Sequence, residues 1–187
     1  MADETTAKKK VSILAVDDED EVRNLYATIL SEEGYRVVTA SRGGEAVEKA
    51  ENEKFDLMLL DIKMPDMTGI DVLKKLKGKL EGTLVIIVTA YPSVESTIEA
   101  IRTGVYDYII KPFSPKDLRV VVRMAAEKGR LIGENKILVK KLEQANSELR
   151  EKLYQLEKFT KIATGREERM AELKEKIRQL EEELKKR

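Results

Sequence analysis

Residues 55–69, FDLMLLDIKMPDMTG, constrain the fold more than any other stretch of this chain. Residues 57–60 form a continuous apolar run, which is typical of a strand buried on both faces of a parallel sheet. Asp61 ends that strand. Because ligands of open α/β sheets bind beyond the carboxyl ends of the strands, Asp61 is a candidate reactive group. Taken alone, Asp61 would more simply be a turn or helix-capping aspartate.

Four more strand patterns alternate with helical patterns up to about residue 125. The other strands are predicted at residues 11–16, 35–40, 84–88 and 106–110, and helices at residues 20–33, after residue 44, at residues 70–79, from Pro92-Ser93 to Gly104, and from Pro115 onward. Gly34 suits the position that follows the end of the first helix. This alternation predicts an α/β fold with a doubly wound, five-stranded parallel sheet covered by helices on both faces.

Polar side chains follow four of the predicted strands at the points where those strands end. They are Asp17, Asp18, Asp61, Thr89 and Lys111. Parallel strands bring their carboxyl ends to one edge of a sheet, so we expect these side chains to converge. Three carboxylates would repel one another unless a divalent cation neutralises them, and oxygen ligands alone favour Mg²⁺ or Mn²⁺.

A hydroxyl and an ammonium group facing such a metal suit an anionic phosphoryl group. In this interpretation Asp61 attacks phosphorus, Thr89 donates a hydrogen bond and Lys111 balances charge. Each residue alone is more often a cap or a strand former, and the specific observation is that all of them fall at strand ends. A haloacid-dehalogenase-like phosphatase would also use a strand-end aspartate, but such enzymes normally carry a second aspartate two residues later, where this chain has Lys63.

The motifs VDDED, LLDIKMPDMTG, VTA and DYIIKPF together resemble the receiver domain of two-component response regulators over about residues 11–128. The resemblance implies a flavodoxin-like fold with Asp61 as phosphoacceptor, phosphorylated by a histidine kinase or phosphotransfer protein. It implies Mg²⁺ ligands from Asp17, Asp18, Asp61 and the backbone carbonyl of Lys63. Thr89 and Lys111 would contact the phosphoryl group, Lys111-Pro112 would be a cis peptide, and Tyr108 would be a switch aromatic that follows Thr89.

Composition limits the other possibilities. Lys+Arg and Asp+Glu balance at 35 each, so the total charge gives no indication of nucleic-acid binding. Cysteine is absent, and the apolar runs are far too short to span a bilayer, which predicts a cytoplasmic protein that does not associate with membranes. Histidine is also absent, so this chain cannot autophosphorylate as a histidine kinase does. Residues 1–10 are polar and we expect a disordered tail there.

The chain after Pro115 carries a heptad pattern over most of its length. The stripe of Leu118, Val121 and Ala125 continues at positions spaced alternately by three and four, which we call the seam: Ile132, Asn135, Val139, Leu142, Asn146, Leu149, Leu153 and Leu156. The seam resumes one short step later at Phe159 and runs to Leu184. A helix with a narrow apolar seam needs a partner, and asparagines at seam positions favour a parallel two-stranded coiled coil.

These patterns predict a disordered tail at residues 1–10, a receiver domain at 11–128 and a coiled-coil signalling and dimerisation helix at 129–187. We expect a response regulator that dimerises through this helix and signals by conformational change. No DNA-binding or separate enzymatic output domain is expected in this chain. The alternatives are a Mg²⁺-dependent phosphatase-like enzyme and a structural dimerisation rod with an inactive receiver.

Overall fold

A computed structural model describes residues 10–90 and 102–185 of the chain. The strands are β1 (Ser12–Val16), β2 (Arg36–Ala40), β3 (Leu57–Asp61), β4 (Leu84–Thr89) and β5 (Asp107–Ile110). The helices named here are α1 (Asp20–Glu32), α2 (Gly43–Asn52), α3 (Gly69–Lys75) and α4 (Pro115–Lys185). The predicted helix from Pro92-Ser93 and most of the predicted N-terminal tail lie outside the described residues.

The five strands form one sheet in the order β2-β1-β3-β4-β5, and every neighbouring pair is parallel. Successive side chains of a strand point to opposite faces, so each central strand supplies two cores. Leu14, Met58 and Ile87 face a core shared with α2 and α3, whereas Leu59 and Val88 face a core shared with α1 and the first turns of α4. The predicted doubly wound α/β fold is confirmed.

Residues at the ends of the helices explain most of the boundaries. Gly34 has φ +85°, and the bonds Gly34 N–H to Ser31 O and Tyr35 N–H to Leu30 O close α1 in a Schellman motif, as Gly34 predicted. The prediction for the helix at residues 70–79 was too long at its end. Helix α3 ends at Lys75 because the chain turns at residues 76–79, where Gly78 has φ +82°.

Helix α4 begins where Pro115 occupies the first helical position and Ser114 caps it. The Ser114 hydroxyl accepts a bond from the Asp117 N–H, and the Asp117 carboxylate accepts from the Ser114 backbone N–H and hydroxyl. In this first part of the helix Leu118, Val122 and Ala125 are fully buried. The predicted stripe through Val121 is therefore rotated slightly, because Val121 is only partly buried.

The described chain divides into two compact units, with the division between Glu134 and Asn135 inside the long α4 helix. The predicted domain boundary after residue 128 stays a prediction. Among the described seam leucines of the second unit, Leu142 is 68% and Leu149 is 58% exposed. Among the residues that the structure describes, no helix is long and apolar enough to cross a membrane.

Candidate functional site

A cluster of charged side chains lies at the carboxyl edge of the sheet, beyond β1 and β3. Asp17 directly follows β1 and is fully buried, and Asp61 is the last residue of β3 and is 5% exposed. Lys111 follows β5, and its Nζ lies 2.8 Å from Asp17 Oδ2 and 2.8 Å from Asp61 Oδ2. The lysine therefore bridges two carboxylates that lie 44 positions apart in the sequence.

Glu19 joins this cluster, although the sequence patterns did not single it out. Its carboxylate lies 3.2 Å from Lys111 Nζ, and one oxygen from each of Asp17, Glu19 and Asp61 lies within 4.8 Å of the others. Asp18 is exposed and lines the adjacent cleft together with Glu19. The signal for Glu19 was present in the acidic run VDDED, but the sequence does not tell which of these carboxylates turns towards Lys111.

Burial controls the electrostatics of the cluster. Burial raises the pKa of the Asp17 carboxyl above its usual range, and the hydrogen bonds from Lys111 and from the Glu19 N–H oppose this only in part. For Lys111, burial lowers the pKa, but the hydrogen bonds to Asp17 and Asp61 outweigh burial, so the pKa is raised overall. Lys111 is therefore charged at neutral pH and neutralises part of the acidic cluster.

The remaining predicted residues lie around the same edge of the sheet. Thr89 ends β4 and is 2% exposed, and its backbone carbonyl accepts a 2.8 Å bond from the Lys111 N–H. The Lys63 N–H donates to Asp61 Oδ1 over 3.1 Å. The Lys111-Pro112 peptide is cis, as the resemblance implied. Tyr108 lies on β5 with its side chain 43% exposed.

The loop after β3 is held close to Asp61 by a glycine. The Gly69 N–H donates to the Ile62 carbonyl over 2.8 Å, and a Cβ built on Gly69 would lie 2.3 Å from the Asp61 carbonyl oxygen. No larger residue fits this approach without a backbone shift. A cleft of about 290 Å³ opens beside Asp61, and its lining includes Asp18, Met64, Pro65 and Ala90.

The sequence model of a protein family, the response regulator receiver domain, matches residues 13–123 of this chain. This chain belongs to the response regulator receiver domain family. The match begins at the second residue of β1 and includes the other four strands, the cluster at the carboxyl edge and the start of α4. The family predicted from the motifs is confirmed.

Curated relatives and solved structures agree with this assignment. The chain is 40% identical to the regulatory protein AtoC of Escherichia coli over 115 residues, which is 62% of this chain and 25% of AtoC. It is 36% identical to the alginate biosynthesis transcriptional regulatory protein AlgB of Pseudomonas aeruginosa, covering 66% of this chain and 28% of AlgB. The chain thus spans about a quarter of the length of these relatives.

Two solved receiver structures cover the same part of the chain. A CheY-like receiver domain protein from Methanospirillum hungatei is 37% identical with a TM-score of 0.63, over 65% of this chain and 97% of that chain. The response regulator TrrA from Thermotoga maritima, solved in complex with Mg²⁺ and BeF, is 34% identical with a TM-score of 0.56, over 62% of this chain and 98% of that chain.

The acidic cluster of this receiver fits a hard divalent cation. Its candidate ligands are all oxygens, which suits Mg²⁺ and Mn²⁺. The Asp17 carboxylate is buried, and the nearby negative charge of Asp61 contributes to the rise in the Asp17 pKa. A cation bound beside these carboxylates would remove that unfavourable interaction, so the residues present match the metal that the family uses.

Proposed function

We propose that this chain accepts a phosphoryl group on Asp61 from a histidine kinase or phosphotransfer protein and so acts as the receiver of a two-component phosphorelay. The observation that carries the proposal is the Lys111 bridge between Asp17 and Asp61 at the mouth of a cleft. This arrangement gives the Asp61 carboxylate a path to solvent through the cleft and places the Lys111 ammonium group next to it. Membership of the receiver family supports the same role.

In the proposed reaction an Asp61 carboxylate oxygen attacks the phosphorus of a donor phosphohistidine. The new P–O bond forms as the bond between phosphorus and the donor nitrogen breaks. The Lys111 ammonium group pairs with one phosphoryl oxygen, and the Thr89 hydroxyl donates a hydrogen bond to another phosphoryl oxygen. Asp17, Asp18, Asp61 and the Lys63 carbonyl would hold Mg²⁺ or Mn²⁺, which supplies positive charge to the phosphoryl oxygens when bound.

Incubation with a small phosphodonor and Mg²⁺ tests this proposal directly. We expect intact-mass spectra to show one added phosphoryl group that is labile to base, and Asp61→Asn should abolish the addition. Asp107→Asn is the matched control, because Asp107 is an exposed aspartate of β5 whose carboxylate accepts a hydrogen bond from the adjacent Tyr108 N–H. Phosphorylation that persists in Asp61→Asn would refute the assignment of the acceptor.

The same experiment separates the receiver from the two alternatives. Multiple turnover of assorted phosphate esters would favour the phosphatase-like enzyme, and failure to form any acyl phosphate would favour a rod with an inactive receiver. The family match and the charged cluster support the receiver over both. The sequence contains no histidine, so a phosphohistidine donor would lie outside these 187 residues.

We further propose that α4 pairs with a second copy of this chain in a parallel coiled coil. Apolar seam residues of the second unit are largely exposed, including Val139 at 48%, Leu149 at 58% and Leu153 at 52%. Burying a leucine of this kind contributes about 1.5–3 kcal/mol, so an unpaired helix gains stability by association. Asn146 at a seam position favours a two-stranded parallel register over other packings.

Two large side chains of nearly equal exposure, one on the seam and one beside it, test the dimer. Leu142 on the seam is 68% exposed and Tyr154 beside the seam is 67% exposed in the single chain. We expect Leu142→Lys to convert the dimer to monomer in sedimentation experiments and Tyr154→Lys to leave it dimeric. Equal effects of the two changes, or a monomeric wild-type chain, would contradict pairing through the seam.

Signal output through the coil is the final part of this proposal. Phosphorylation would draw the Thr89 hydroxyl towards Asp61 and let Tyr108 rotate inward, and the resulting change would alter the register or splay of the paired helices. Interchain distances between spin labels at Leu142 and at Leu173 should then differ with and without beryllofluoride. Unchanged distances at both positions would identify the coil as a constitutive dimeriser.

A further inference from the structure

Tyr26 of α1 places a phenol against the acidic cluster from inside the protein core. Its side chain is fully buried in the apolar cluster between the sheet and helices α1 and α4. The hydroxyl oxygen lies 3.3 Å from Asp17 Oδ2, and the bond between them is itself buried. By helical periodicity Tyr26 is an ordinary member of the apolar stripe of α1, and a leucine would fill that role without a polar atom.

The ring of Tyr26 is held in place by the segment that precedes α4. It stacks on Phe113 with the ring centroids 5.9 Å apart and the planes inclined by 6°. Phe113 follows the cis Lys111-Pro112 peptide, so the same short segment positions both Lys111 and the ring that supports Tyr26. A buried tyrosine normally finds a hydrogen-bond partner, and here that partner is the Asp17 carboxylate.

Three groups donate hydrogen bonds to the Asp17 carboxylate, and they differ in which other groups they contact. Lys111 contacts Oδ2 but also reaches Glu19 and Asp61, and the Glu19 N–H donates to Oδ1 over 3.2 Å. The Tyr26 hydroxyl contacts the side chain of Asp17 from the core. When Lys111 turns to a phosphoryl group, Tyr26 is the side-chain donor among these three contacts that stays with Asp17.

We infer that Tyr26 is a positioning residue that orients the Asp17 carboxylate for the divalent cation. This inference rests on the proposed function, because it concerns the cation that assists phosphorylation of Asp61. The 3.3 Å separation is longer than the usual O–H···O bond, so the phenol fixes a direction and contributes little charge. Outer partners of metal ligands commonly change metal affinity by about 10–100-fold, and we expect an effect at the lower end of that range.

The test compares Tyr26→Phe with Thr83→Val in the full chain. Tyr26→Phe removes the hydroxyl and keeps the stacked ring, and Thr83→Val removes a half-buried hydroxyl that donates to the Phe55 carbonyl over 2.6 Å, away from the acidic cluster. Calorimetric titration with Mg²⁺ should give a dissociation constant about tenfold higher for Tyr26→Phe and an unchanged value for Thr83→Val. Phosphorylation of Tyr26→Phe at saturating Mg²⁺ should return to within about twofold of wild type, since Asp61 and Lys111 are intact.

A second measurement on the wild-type chain covers the case in which Tyr26→Phe does not fold. The ring Cζ resonance of Tyr26 in a ¹³C-tyrosine sample should shift along the Mg²⁺ titration, and that of the exposed Tyr154 should not. The inference would be overturned by an unchanged Mg²⁺ dissociation constant in folded Tyr26→Phe or by an equal loss of Mg²⁺ affinity in Thr83→Val. It would also be overturned if the Tyr26 resonance did not shift with Mg²⁺. These results leave the proposed function standing, whereas a wild-type chain that neither binds Mg²⁺ nor forms an acyl phosphate would refute both.

Discussion

Replacing Lys111 with methionine tests how much the bridging cation contributes to the stability of the receiver. The lysine side chain is 10% exposed, and its two principal partners, Asp17 and Asp61, are 0% and 7% exposed. Removing one partner of a buried ion pair leaves uncompensated charge and destabilises by about 3–5 kcal/mol, compared with about 0.2–1 kcal/mol for an exposed pair. We therefore expect Lys111→Met to lower the free energy of unfolding by about 3–5 kcal/mol in the presence of a chelator.

The matched control is Lys79→Met, which breaks the exposed Lys79–Glu51 pair and should change the free energy of unfolding by at most about 1 kcal/mol. Urea unfolding should be followed by near-ultraviolet circular dichroism, which reports the packed Tyr26 ring, because the long α4 helix dominates the far-ultraviolet signal. A divalent cation neutralises the same carboxylates, so adding Mg²⁺ should restore part of the stability lost in Lys111→Met.

The pH dependence of Lys111→Met provides an internal check with a defined sign. Burial already raises the pKa of Asp17, and loss of the Lys111 bonds, which lower it, raises it further. A carboxyl whose pKa is raised on folding destabilises the protein fully above the folded value, and this penalty declines as the pH falls from the folded value to the unfolded value. The difference in the free energy of unfolding between wild type and Lys111→Met should therefore become smaller on acidification. A gap no larger than that of Lys79→Met at neutral pH would refute the argument from burial.

Two further predictions concern the backbone and a helix cap. Gly69→Ala should destabilise the receiver by about 1–3 kcal/mol in urea unfolding, because its Cβ would meet the Asp61 carbonyl at 2.3 Å, whereas Gly133→Ala in an open helical position should not destabilise. Hydrogen bonds from Ser114 lower the pKa of Asp117, so its stabilising contribution is present above the unfolded value of 3.8 and is lost as pH falls through the folded value. Asp117→Asn should therefore flatten the acid side of the stability profile, and an unchanged profile would contradict the cap.

The order of strands and helices was accessible from local patterns of the sequence. Apolar runs such as residues 57–60 and 84–88 indicated strands buried on both faces, and β3 and β4 are central strands of the sheet. Gly34 marked the end of α1 because its φ of +85° is strained for other residues. The end predicted for the third helix at residue 79 was four residues too late, because the chain leaves the helix after Lys75 and turns at Gly78, where φ is +82°.

The candidate site was predictable as a set of strand ends, because parallel strands must bring those ends to one edge. Asp17 and Asp61 do meet Lys111 there, each with a carboxylate oxygen 2.8 Å from the Lys111 Nζ. Their roles in phosphorylation, and those of Asp18, Lys63, Thr89 and Tyr108, stay predictions. The dimeric coiled coil also stays a prediction, because the seam identifies an apolar stripe on the helix but does not identify which other helix covers it.

The sequence by itself determined which of the described segments are strands and helices, and it marked the end of α1 at Gly34 but not the end of α3 at Lys75. Such properties depend on periodicity and on the conformations of single residues. Only the tertiary structure decided that Glu19 rather than Asp18 turns towards Lys111, and that the hydroxyl of Tyr26 reaches Asp17 from the core. A helical period specifies which face a side chain occupies but not which atom of another element it meets. That depends on how α1, the sheet and the segment around Phe113 pack together, and such contacts are set by the summed packing of the whole domain.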